Sequence, residues 1–366
     1  FVGIADPVRG DVAHAVASCH TAGIDVKMIT GDNVVTASSI GKQINIYADN
    51  SSHIAISGPD FEALSDAEAS KIIGNLKIMY RARPSDKLKL VRLLQEQGQV
   101  VAVTGDGTND APSLNRANVG LAMGTGTQVA KEASDIILLD DSFASIVNAV
   151  RWGRTLFQNI QKFLFFQLTI NLLAVAIVLT GPFTGITLPL TVTQMLWVNL
   201  IMDTFAALAL ATEPPHAGVM KQHPRKTDDF IISKSIRNGI VYTAGVFFVA
   251  LIAMLQYLKS DGEVTNYELT LFFNVFVMLQ FWNLFNARVY GQNVSAFKGL
   301  FKNRSFLLIA LLILVGQVFI IQFGGAFFRT VPLKVYDWFL VILFTSFILW
   351  ISELMKFIRR KINQTR

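Results

Sequence analysis

A cluster of carboxylate and amide side chains follows an apolar run near residue 100. The run from Val100 ends in Thr104-Gly-Asp-Gly107, and Asn109 and Asp110 come directly afterwards. This pattern predicts a strand that leads into a tight turn, and open α/β sheets bind their ligands beyond the carboxyl ends of the strands. Glycines on both sides of Asp106 allow the backbone to approach a ligand closely. Paired oxygen ligands at such a place suit Mg²⁺ beside a phosphate.

The elements that must position this turn alternate between strand and helix up to about residue 154. Four β-rich runs and three helical patterns share this region; the runs lie at 26–30, 100–104, 119–123 and 136–139, and the patterns at 11–21, 34–44 and 85–97. Such alternation predicts a parallel, doubly wound sheet with helices on its faces. The run Met28-Ile-Thr-Gly-Asp32 also ends in a polar turn, which we expect at the same edge of the sheet.

The composition indicates a membrane protein. Charged residues make up 16% of the 366 residues and hydrophobic residues 52%, with a mean hydropathy of +0.45, whereas soluble domains carry about 25% charged residues. The net charge of +6 does not indicate nucleic-acid binding, because most of the excess flanks long apolar runs. The single cysteine, Cys19, excludes an intrachain disulfide framework and a cysteine-rich metal site.

Beyond residue 154 the sequence contains about six apolar runs of the length that a bilayer requires. They lie near 163–180, 190–211, 236–258, 269–287, 306–323 and 335–357. The first is expected to continue a helix that starts near Phe143. Basic residues concentrate in alternate connections, which the positive-inside rule assigns to the cytosol together with the preceding α/β region.

Polar side chains inside these runs are candidate ligands for a cation. Asp203 lies within the second run, where an ionised carboxylate costs roughly 2.5–3.5 kcal/mol on insertion scales and is a functional candidate by default. Asn199 lies four residues earlier, on the same face of a regular helix, and Asn171 lies in the middle of the preceding run. Oxygen ligands without histidine or thiol suit a hard cation such as Ca²⁺ and fit Cu⁺ or Zn²⁺ poorly.

Five motifs together resemble the P-type ATPases, cation pumps that pass through an aspartyl-phosphate. The block at 104–112 resembles their TGDGxNDxP signature, and the others follow in the family's order: Asp6-Pro-Val-Arg9, Met28-Ile-Thr-Gly-Asp32, Ala82-Arg-Pro-Ser-Asp-Lys87 and Gly120-Leu-Ala-Met-Gly-Thr-Gly126. The resemblance covers nearly the whole chain. It implies a haloacid-dehalogenase-like, Rossmann-like α/β phosphorylation domain, incomplete, over residues 1–154. An α-helical transmembrane domain of about six spans follows over residues 155–366.

The resemblance assigns roles at the phosphate site, which needs a nucleophile, Mg²⁺ and donors to the phosphoryl oxygens. Asp106 is the Mg²⁺ ligand, with Asn109 in support and Asp110 as a further candidate. Lys87, expected to open the helix 87–97, neutralises the transferring phosphoryl group.

The remaining roles at this site concern the phosphoryl oxygens and the nucleotide. Thr30 and Gly31 donate hydrogen bonds to the phosphoryl oxygens. The resemblance places Asp6, Arg9 and Asp32 near the bound nucleotide. For Asp32 and Asp110 the alternative reading is the capping of turns, which is common for aspartate.

The nucleophile of this family does not occur in the sequence. Neither the family's Asp-Lys-Thr-Gly-Thr motif nor the wider superfamily's Asp-x-Asp-x-Thr/Val motif is present. The resemblance places the phosphorylated aspartate, the nucleotide-binding and actuator domains and the first membrane helices upstream of Phe1. We therefore expect the chain to be the C-terminal portion of a longer polypeptide and to be inactive alone.

Within the family, the second apolar run resembles the plasma-membrane Ca²⁺-ATPases. The resemblance rests on Gln194-Met-Leu-Trp-Val-Asn-Leu-Ile-Met-Asp-Thr204 and Ala207-Leu-Ala-Leu-Ala-Thr-Glu-Pro-Pro215. Ala174 and Met202 stand where pumps for two Ca²⁺ ions place a glutamate and a threonine, and Gln280 is a further candidate ligand on the resemblance.

This resemblance implies ATP as the substrate, Mg²⁺ as the cofactor and Ca²⁺ as the transported ion, in the plasma membrane with the phosphorylation domain in the cytosol. The basic end at 356–361 predicts interfacial anchoring and no calmodulin binding.

Three alternatives stay open at this point. The transported ion could be Mn²⁺, which uses similar oxygen ligands. A soluble-type phosphatase domain fused to a membrane anchor would require the Asp-x-Asp-x-Thr/Val nucleophile, which the sequence lacks. A truncated, non-catalytic membrane protein is the third, although it fits poorly with the retention of Lys87, Asp106 and Asp203.

Overall fold

The protein is described by a computed structural model, which covers residues 8–364 except 50, 51, 187, 217, 226–228 and 261. The chain divides into two compact units. The first unit comprises Phe1–Arg154 and Pro215–Asp229, and the second comprises Thr155–Pro214 and Phe230–Arg366. The first unit is therefore discontinuous in sequence. The Arg154 guanidinium helps to hold its inserted segment, since it donates to the carbonyls of Val219 and Gln222.

The first unit contains two three-stranded sheets whose strands are all parallel. The strands are β1 (Met28–Ile29), β2 (Ile54–Ser57), β3 (Leu76–Tyr80), β4 (Ala102–Gly105), β5 (Val119–Met123) and β6 (Ile136–Leu138), in the orders β1-β3-β2 and β4-β5-β6. The expectation of an α/β region with parallel strands is confirmed. The sequence analysis missed β2 and β3. In both sheets the carboxyl ends of the strands lie at one edge, where the predicted polar turns follow β1 and β4.

Short helices connect these strands, and local signals fix where they begin. They are α1 (Val12–Thr21), α2 (Val34–Gln43), α3 (Gly58–Ala63), α4 (Asp66–Ile72), α5 (Pro84–Glu96), α6 (Ala111–Arg116) and α7 (Gln128–Glu132). Asn33 caps α2 by accepting from two backbone N–H groups. Helix α5 begins at Pro84, not at Lys87 as expected. Proline suits the first helical position, and the Asp86 carboxylate accepts the N–H of Arg83.

The second unit consists of helices that are mostly long and apolar. They are α8 (Phe143–Thr180), which begins in the first unit, α9 (Val192–Leu196), α10 (Asp203–Ala211), α11 (Lys234–Ser260), α12 (Asn266–Arg288), α13 (Arg304–Phe323), α14 (Gly325–Phe328) and α15 (Val335–Gln364). A π-helix, Trp197–Met202, joins α9 to α10. Six helical stretches in the described residues are long and apolar enough to cross a membrane, so the prediction of about six spans is confirmed.

Helix α12 lies at the centre of the second unit. It is buried on almost every side and packs against α11, α13 and α15. Phenylalanines such as Phe272, Phe273 and Phe276 fill the core around it. A helix that is surrounded by protein can carry amides without exposing them to lipid. Polar side chains inside membrane spans are expected in such an interior position.

Candidate functional site

The turn after β4 presents Asp106 at the edge of its sheet. Asp106 and Asn109 are exposed, and the Asp106 carboxylate accepts no hydrogen bond from the residues that the structure describes. The loop that follows β5 lies against this turn, because the Thr127 N–H donates to the Asp106 carbonyl at 2.8 Å. A side chain at Gly126 would approach the same carbonyl to 3.0 Å. The backbone is thus fixed while the carboxylate of Asp106 faces outward.

Asp110 organises this turn and pairs with a lysine. One oxygen accepts the N–H groups of Asp106 and Gly107 at 3.3 and 3.2 Å, and the other lies 2.6 Å from the Lys87 ammonium. Asp110 is buried, and a side chain at Gly105 would lie 2.5 Å from its Cβ. Both oxygens are therefore engaged within the protein. This geometry argues against Asp110 as a Mg²⁺ ligand and supports the alternative that it holds the turn.

The Thr30–Asp32 turn after β1 is joined to the start of α5. The Ala82 N–H donates to the Thr30 carbonyl, and the Arg81 N–H donates to the Asp32 carbonyl. Within the turn the Thr30 hydroxyl donates to the Asp32 carboxylate at 2.8 Å. Because residues 81 and 82 lead directly into α5, these hydrogen bonds link Thr30 to the helix that carries Lys87.

The middle of this turn, Gly31, leaves open space for a ligand. It is exposed, and no atom lies within 4 Å of the position that a Cβ would take. Packing does not require glycine here, whereas close approach of a ligand to the backbone would. The Asp32 carboxylate accepts the Thr30 hydroxyl within the turn, whereas Asn33 caps the helix that follows.

Arg9 lies near the loop that contacts Asp106. Its guanidinium donates to the carbonyl of Asp141, and the Asp141 carboxylate accepts from the hydroxyl and N–H of Thr125. The two hydrogen bonds from Thr125 hold the pKa of Asp141 below its usual range. Asp6, which the resemblance also places near the nucleotide, lies outside the described residues.

The donor set at this edge is small, but its groups are of the kind that Mg²⁺ takes. Asp106 offers a free carboxylate and Asn109 an exposed amide, which are oxygen ligands of the kind that Mg²⁺ takes. No group of three or more His, Cys, Asp or Glu side chains that could hold a metal occurs among the described residues. Mg²⁺ binds proteins through one or two carboxylates together with water and phosphate oxygens, so this limited donor set still fits it.

Asp203, in the second unit, is the most unusual polar residue of the membrane helices. Its side chain is 3% exposed, and neither carboxylate oxygen has a hydrogen-bond partner among the described residues. Buried charges in proteins are normally paired or coordinate metals. Asp203 starts α10, immediately after the π-helix, so the backbone distortion lies next to the carboxylate.

The other predicted cation ligands are distributed over three elements. Asn171 is half-buried on α8, and Asn199 is exposed within the π-helix. The expectation assumed a regular α-helix, whereas residues 197–202 form the π-helix. That Asn199 shares a face with Asp203 stays a prediction. Gln280 on α12 is fully buried, and neither end of its amide has a partner among the described residues.

Two buried polar assemblies of the second unit escaped the sequence analysis. Glu213 pairs with Arg288 at 2.6 Å. Gln317 on α13 accepts from the indole N–H of Trp197 at 2.9 Å and donates to Asn274 at 3.2 Å. The second assembly could have been predicted from the sequence, since amides inside membrane helices commonly form hydrogen bonds to neighbouring helices.

Comparison with known protein families matches both parts of the chain. Residues 1–118 match the haloacid dehalogenase-like hydrolase family, and residues 187–358 match the C-terminal region of cation-transporting ATPases. The first match covers β1 and β4 with their turns. The second covers Asn199, Asp203 and Gln280.

Curated relatives from plants, fungi and animals are similar over most of the chain. It is 46% identical over 361 residues to the plasma membrane-type calcium-transporting ATPase 4 of Arabidopsis thaliana, covering 97% of the chain and 35% of that protein. It is 44% identical to calcium-transporting ATPase 2 of Schizosaccharomyces pombe, covering 94% and 27%. With plasma membrane calcium-transporting ATPase 4 of Bos taurus the identity is 42%, covering 92% and 30%. The chain thus spans about a third of the length of these relatives.

Proposed function

Since the chain belongs to the cation-transporting ATPases, we propose that it is the C-terminal portion of a P-type pump that exports Ca²⁺ at the expense of ATP. Six span-capable helices and the membrane relatives support a multi-pass membrane protein. The proposal places it in the plasma membrane with the α/β region in the cytosol, and it assigns the phosphorylated aspartate to the upstream part of the same polypeptide.

The buried Asp203 carboxylate carries this proposal. The side chain of Asp203 is 3% exposed and has no partner among the described residues, so its ionised form costs free energy that a bound cation would offset. Asn199, Asn171 and Gln280 would supply neutral oxygens around such a cation. Carboxylate and amide oxygens are the ligand types that Ca²⁺ prefers.

At the phosphate edge we assign one role to each of the available groups. Lys87 would neutralise charge on the phosphoryl group, and its ion pair with Asp110 holds the ammonium next to the Asp106 turn. The N–H of Gly31 would donate to a phosphoryl oxygen, and the hydroxyl of Thr30 would do so in place of its hydrogen bond to Asp32. Asp106, supported by Asn109, would hold Mg²⁺, which when bound neutralises phosphate charge and orients the reacting oxygens. Arg9, Asp32 and Asp6 remain assigned to the nucleotide side.

The decisive experiment measures an acid-stable phosphoenzyme formed from labelled ATP by the native gene product in membranes, with and without Ca²⁺. We expect a Ca²⁺-dependent labelled band larger than the 40.4 kDa of this chain. Labelling that responds to Mn²⁺ but not to Ca²⁺ would identify Mn²⁺ as the transported ion instead. The absence of any cation-dependent labelling would refute the pump.

Two variants link the label to the proposed residues. Asp203→Asn removes the charge and keeps the shape, so it should abolish the response to Ca²⁺. Asp337→Asn is a matched control, because Asp337 lies at the start of α15 and its carboxylate accepts the hydroxyl of Tyr267. The control should keep the Ca²⁺ dependence of the wild type. Equal behaviour of the two variants would remove Asp203 from the cation site.

A further inference from the structure

The segment that leads to Asp203 departs from regular helical geometry. Residues Trp197–Met202 form a π-helix between α9 and α10. Trp197 and Met202 at its two ends are buried, whereas Leu200 and Ile201 in its middle are exposed. Such insertions shift the register of every residue that follows, and they are frequent at functional sites. The direction in which Asp203 points therefore depends on this segment.

A buried chain of hydrogen bonds holds the first residue of the π-helix. The indole N–H of Trp197 donates to the side-chain oxygen of Gln317 at 2.9 Å, and the Gln317 amide nitrogen donates to the side-chain oxygen of Asn274 at 3.2 Å. Gln317 and Asn274 are completely buried, and Trp197 is 7% exposed. One amide thus connects the π-helix to α13 and α12, and each of its ends has a partner.

The shape of α13 holds the same indole ring. A Cβ at Gly316 would lie 2.6 Å from the Cη2 atom of Trp197, so the ring packs directly on the α13 backbone. Small residues permit this kind of close approach between membrane helices. The ring is therefore held by packing against Gly316 and by a hydrogen bond to the adjacent Gln317.

Helix α9, which precedes the π-helix, is tied to α14, the short helix that follows α13. The Thr193 hydroxyl donates to the carbonyl of Phe327 at 2.8 Å, and the Gln194 amide donates to the carbonyl of Phe328 at 2.9 Å. These contacts fix residues 193–197. By contrast, no described residue hydrogen-bonds to the Asp203 carboxylate. The backbone must then set the position of this carboxylate.

We propose that Gln317 is a positioning residue for the cation site, which acts through Trp197 to fix the register of the π-helix and so the placement of Asn199 and Asp203. This inference rests on the proposed function, in which Asp203 binds the transported cation. Gln317 itself touches no cation. Its loss should weaken cation binding while the phosphorylation chemistry in the first unit continues.

The test uses the full-length gene product in membranes and titrates Ca²⁺ against phosphoenzyme formed from labelled ATP. Gln317→Met keeps the length of the side chain and removes the amide. We expect the half-saturating Ca²⁺ concentration to rise about fivefold, as the loss of one hydrogen bond implies. The maximal phosphoenzyme level at saturating Ca²⁺ should stay within about twofold of the wild type. A purely structural residue would lower the maximal level and leave the Ca²⁺ dependence unchanged.

Gln322→Met is the matched control on the same helix. The Gln322 amide lies near the end of α13, and it donates to the carbonyl of Leu333 at 3.0 Å instead of bonding to Trp197. This variant should titrate like the wild type. Trp197→Phe removes the other partner of the hydrogen bond, so Trp197→Phe combined with Gln317→Met should shift the titration no further than the larger single effect. Additive shifts would show that Gln317 does not act through Trp197.

Further outcomes separate this inference from the proposed function. If the wild type shows no Ca²⁺-dependent phosphoenzyme, the proposed function fails. If the wild type responds and Gln317→Met titrates normally, only the positioning role fails. Should Gln317→Met not accumulate, Gly316→Ala tests the same idea, because it displaces the indole ring from Gln317 while the Gln317 side chain itself stays unchanged. An unchanged Ca²⁺ titration in Gly316→Ala would then overturn the inference.

Discussion

Removal of one partner of the buried ion pair between Glu213 and Arg288 should strongly destabilise the second unit. The Arg288 Nε atom lies 2.6 Å from Glu213 Oε1, and the two side chains are 4% and 8% exposed. Asn303 donates to the same carboxylate oxygen at 2.8 Å. Lys162, which is also buried, lies within electrostatic range of Glu213. The Glu213 carboxylate is thus the negative charge beside two buried basic side chains, Arg288 and Lys162.

The expected cost follows from the charge that remains behind. Glu213→Gln keeps an acceptor for Asn303 but leaves Arg288 without its counter-charge. Breaking a buried pair in this way costs about 3–5 kcal/mol. For a unit of about 200 residues, where 1 kcal/mol shifts the midpoint by about 2–4 °C, the variant should unfold roughly 6–20 °C below the wild type. Thermal unfolding in detergent, followed by far-ultraviolet circular dichroism, measures the shift.

A control and a double variant complete the experiment. Glu268→Gln makes the same chemical change in the capping box of α12, where glutamine serves equally well, so the midpoint should change little. Glu213→Gln combined with Arg288→Met removes both charges and should recover part of the lost stability, since replacing a buried pair is often nearly neutral. A midpoint for Glu213→Gln within about 2 °C of the wild type, equivalent to less than 1 kcal/mol, would refute the reasoning.

Three further predictions concern the first unit. Burial raises the pKa of the Cys19 thiol, so a maleimide at pH 8 should label the folded protein more slowly than the denatured protein; equal rates would contradict this. Gly105→Ala places a Cβ 2.5 Å from that of Asp110 and should cost about 1–3 kcal/mol of unfolding free energy, whereas Gly74→Ala, which meets no atom within 4 Å, should be nearly neutral. Burial would raise the pKa of Asp25, but hydrogen bonds from Lys27 and Lys77 outweigh it and lower this pKa. Asp25 therefore stabilises the fold above its unfolded pKa of about 3.9, and the advantage of the wild type over Asp25→Asn in urea unfolding should disappear as the pH falls below that value.

The elements that are specified by signals in the local sequence were predicted best. Strand β5 forms over the predicted residues 119–123, and α2 begins at the predicted Val34 because Asn33 caps it. The turn at Asp106 was predicted because the glycines on both sides end the strand and permit a tight turn. The sequence analysis missed β3, since its five residues are buried or half-buried throughout and Lys77 interrupts the apolar run. Strands buried on both faces lack the alternation that identifies a strand.

The π-helix could not be predicted from the local sequence. Residues 197–202 are apolar except for Asn199 and match a regular membrane helix. The contact associated with the distortion, from Trp197 to Gln317, joins residues 120 positions apart. The same reasoning applies to Asp110, because one of its oxygens is engaged only by Lys87, which lies on a different helix. Interactions over such separations are a property of the packed structure, whereas the sequence motif indicates only which residue types are present.

Two kinds of buried polar side chain occur among the membrane helices, and the difference between them bears on where a cation would bind. Gln317 and Asn303 are fully or partly satisfied by neighbouring helices, so their role in packing explains their burial. Asp203 and Gln280 are equally buried, yet neither the carboxylate of the one nor the amide of the other has a partner among the described residues. Each unsatisfied group lowers the stability of the fold, and an unpaired carboxylate does so most strongly. Packing alone would favour apolar side chains at both positions. A bound cation would supply the missing interaction energy, which is why the proposed cation site includes Asp203 and Gln280 beside Asn171 and Asn199, and why Gln317 is proposed to position it rather than to bind the ion.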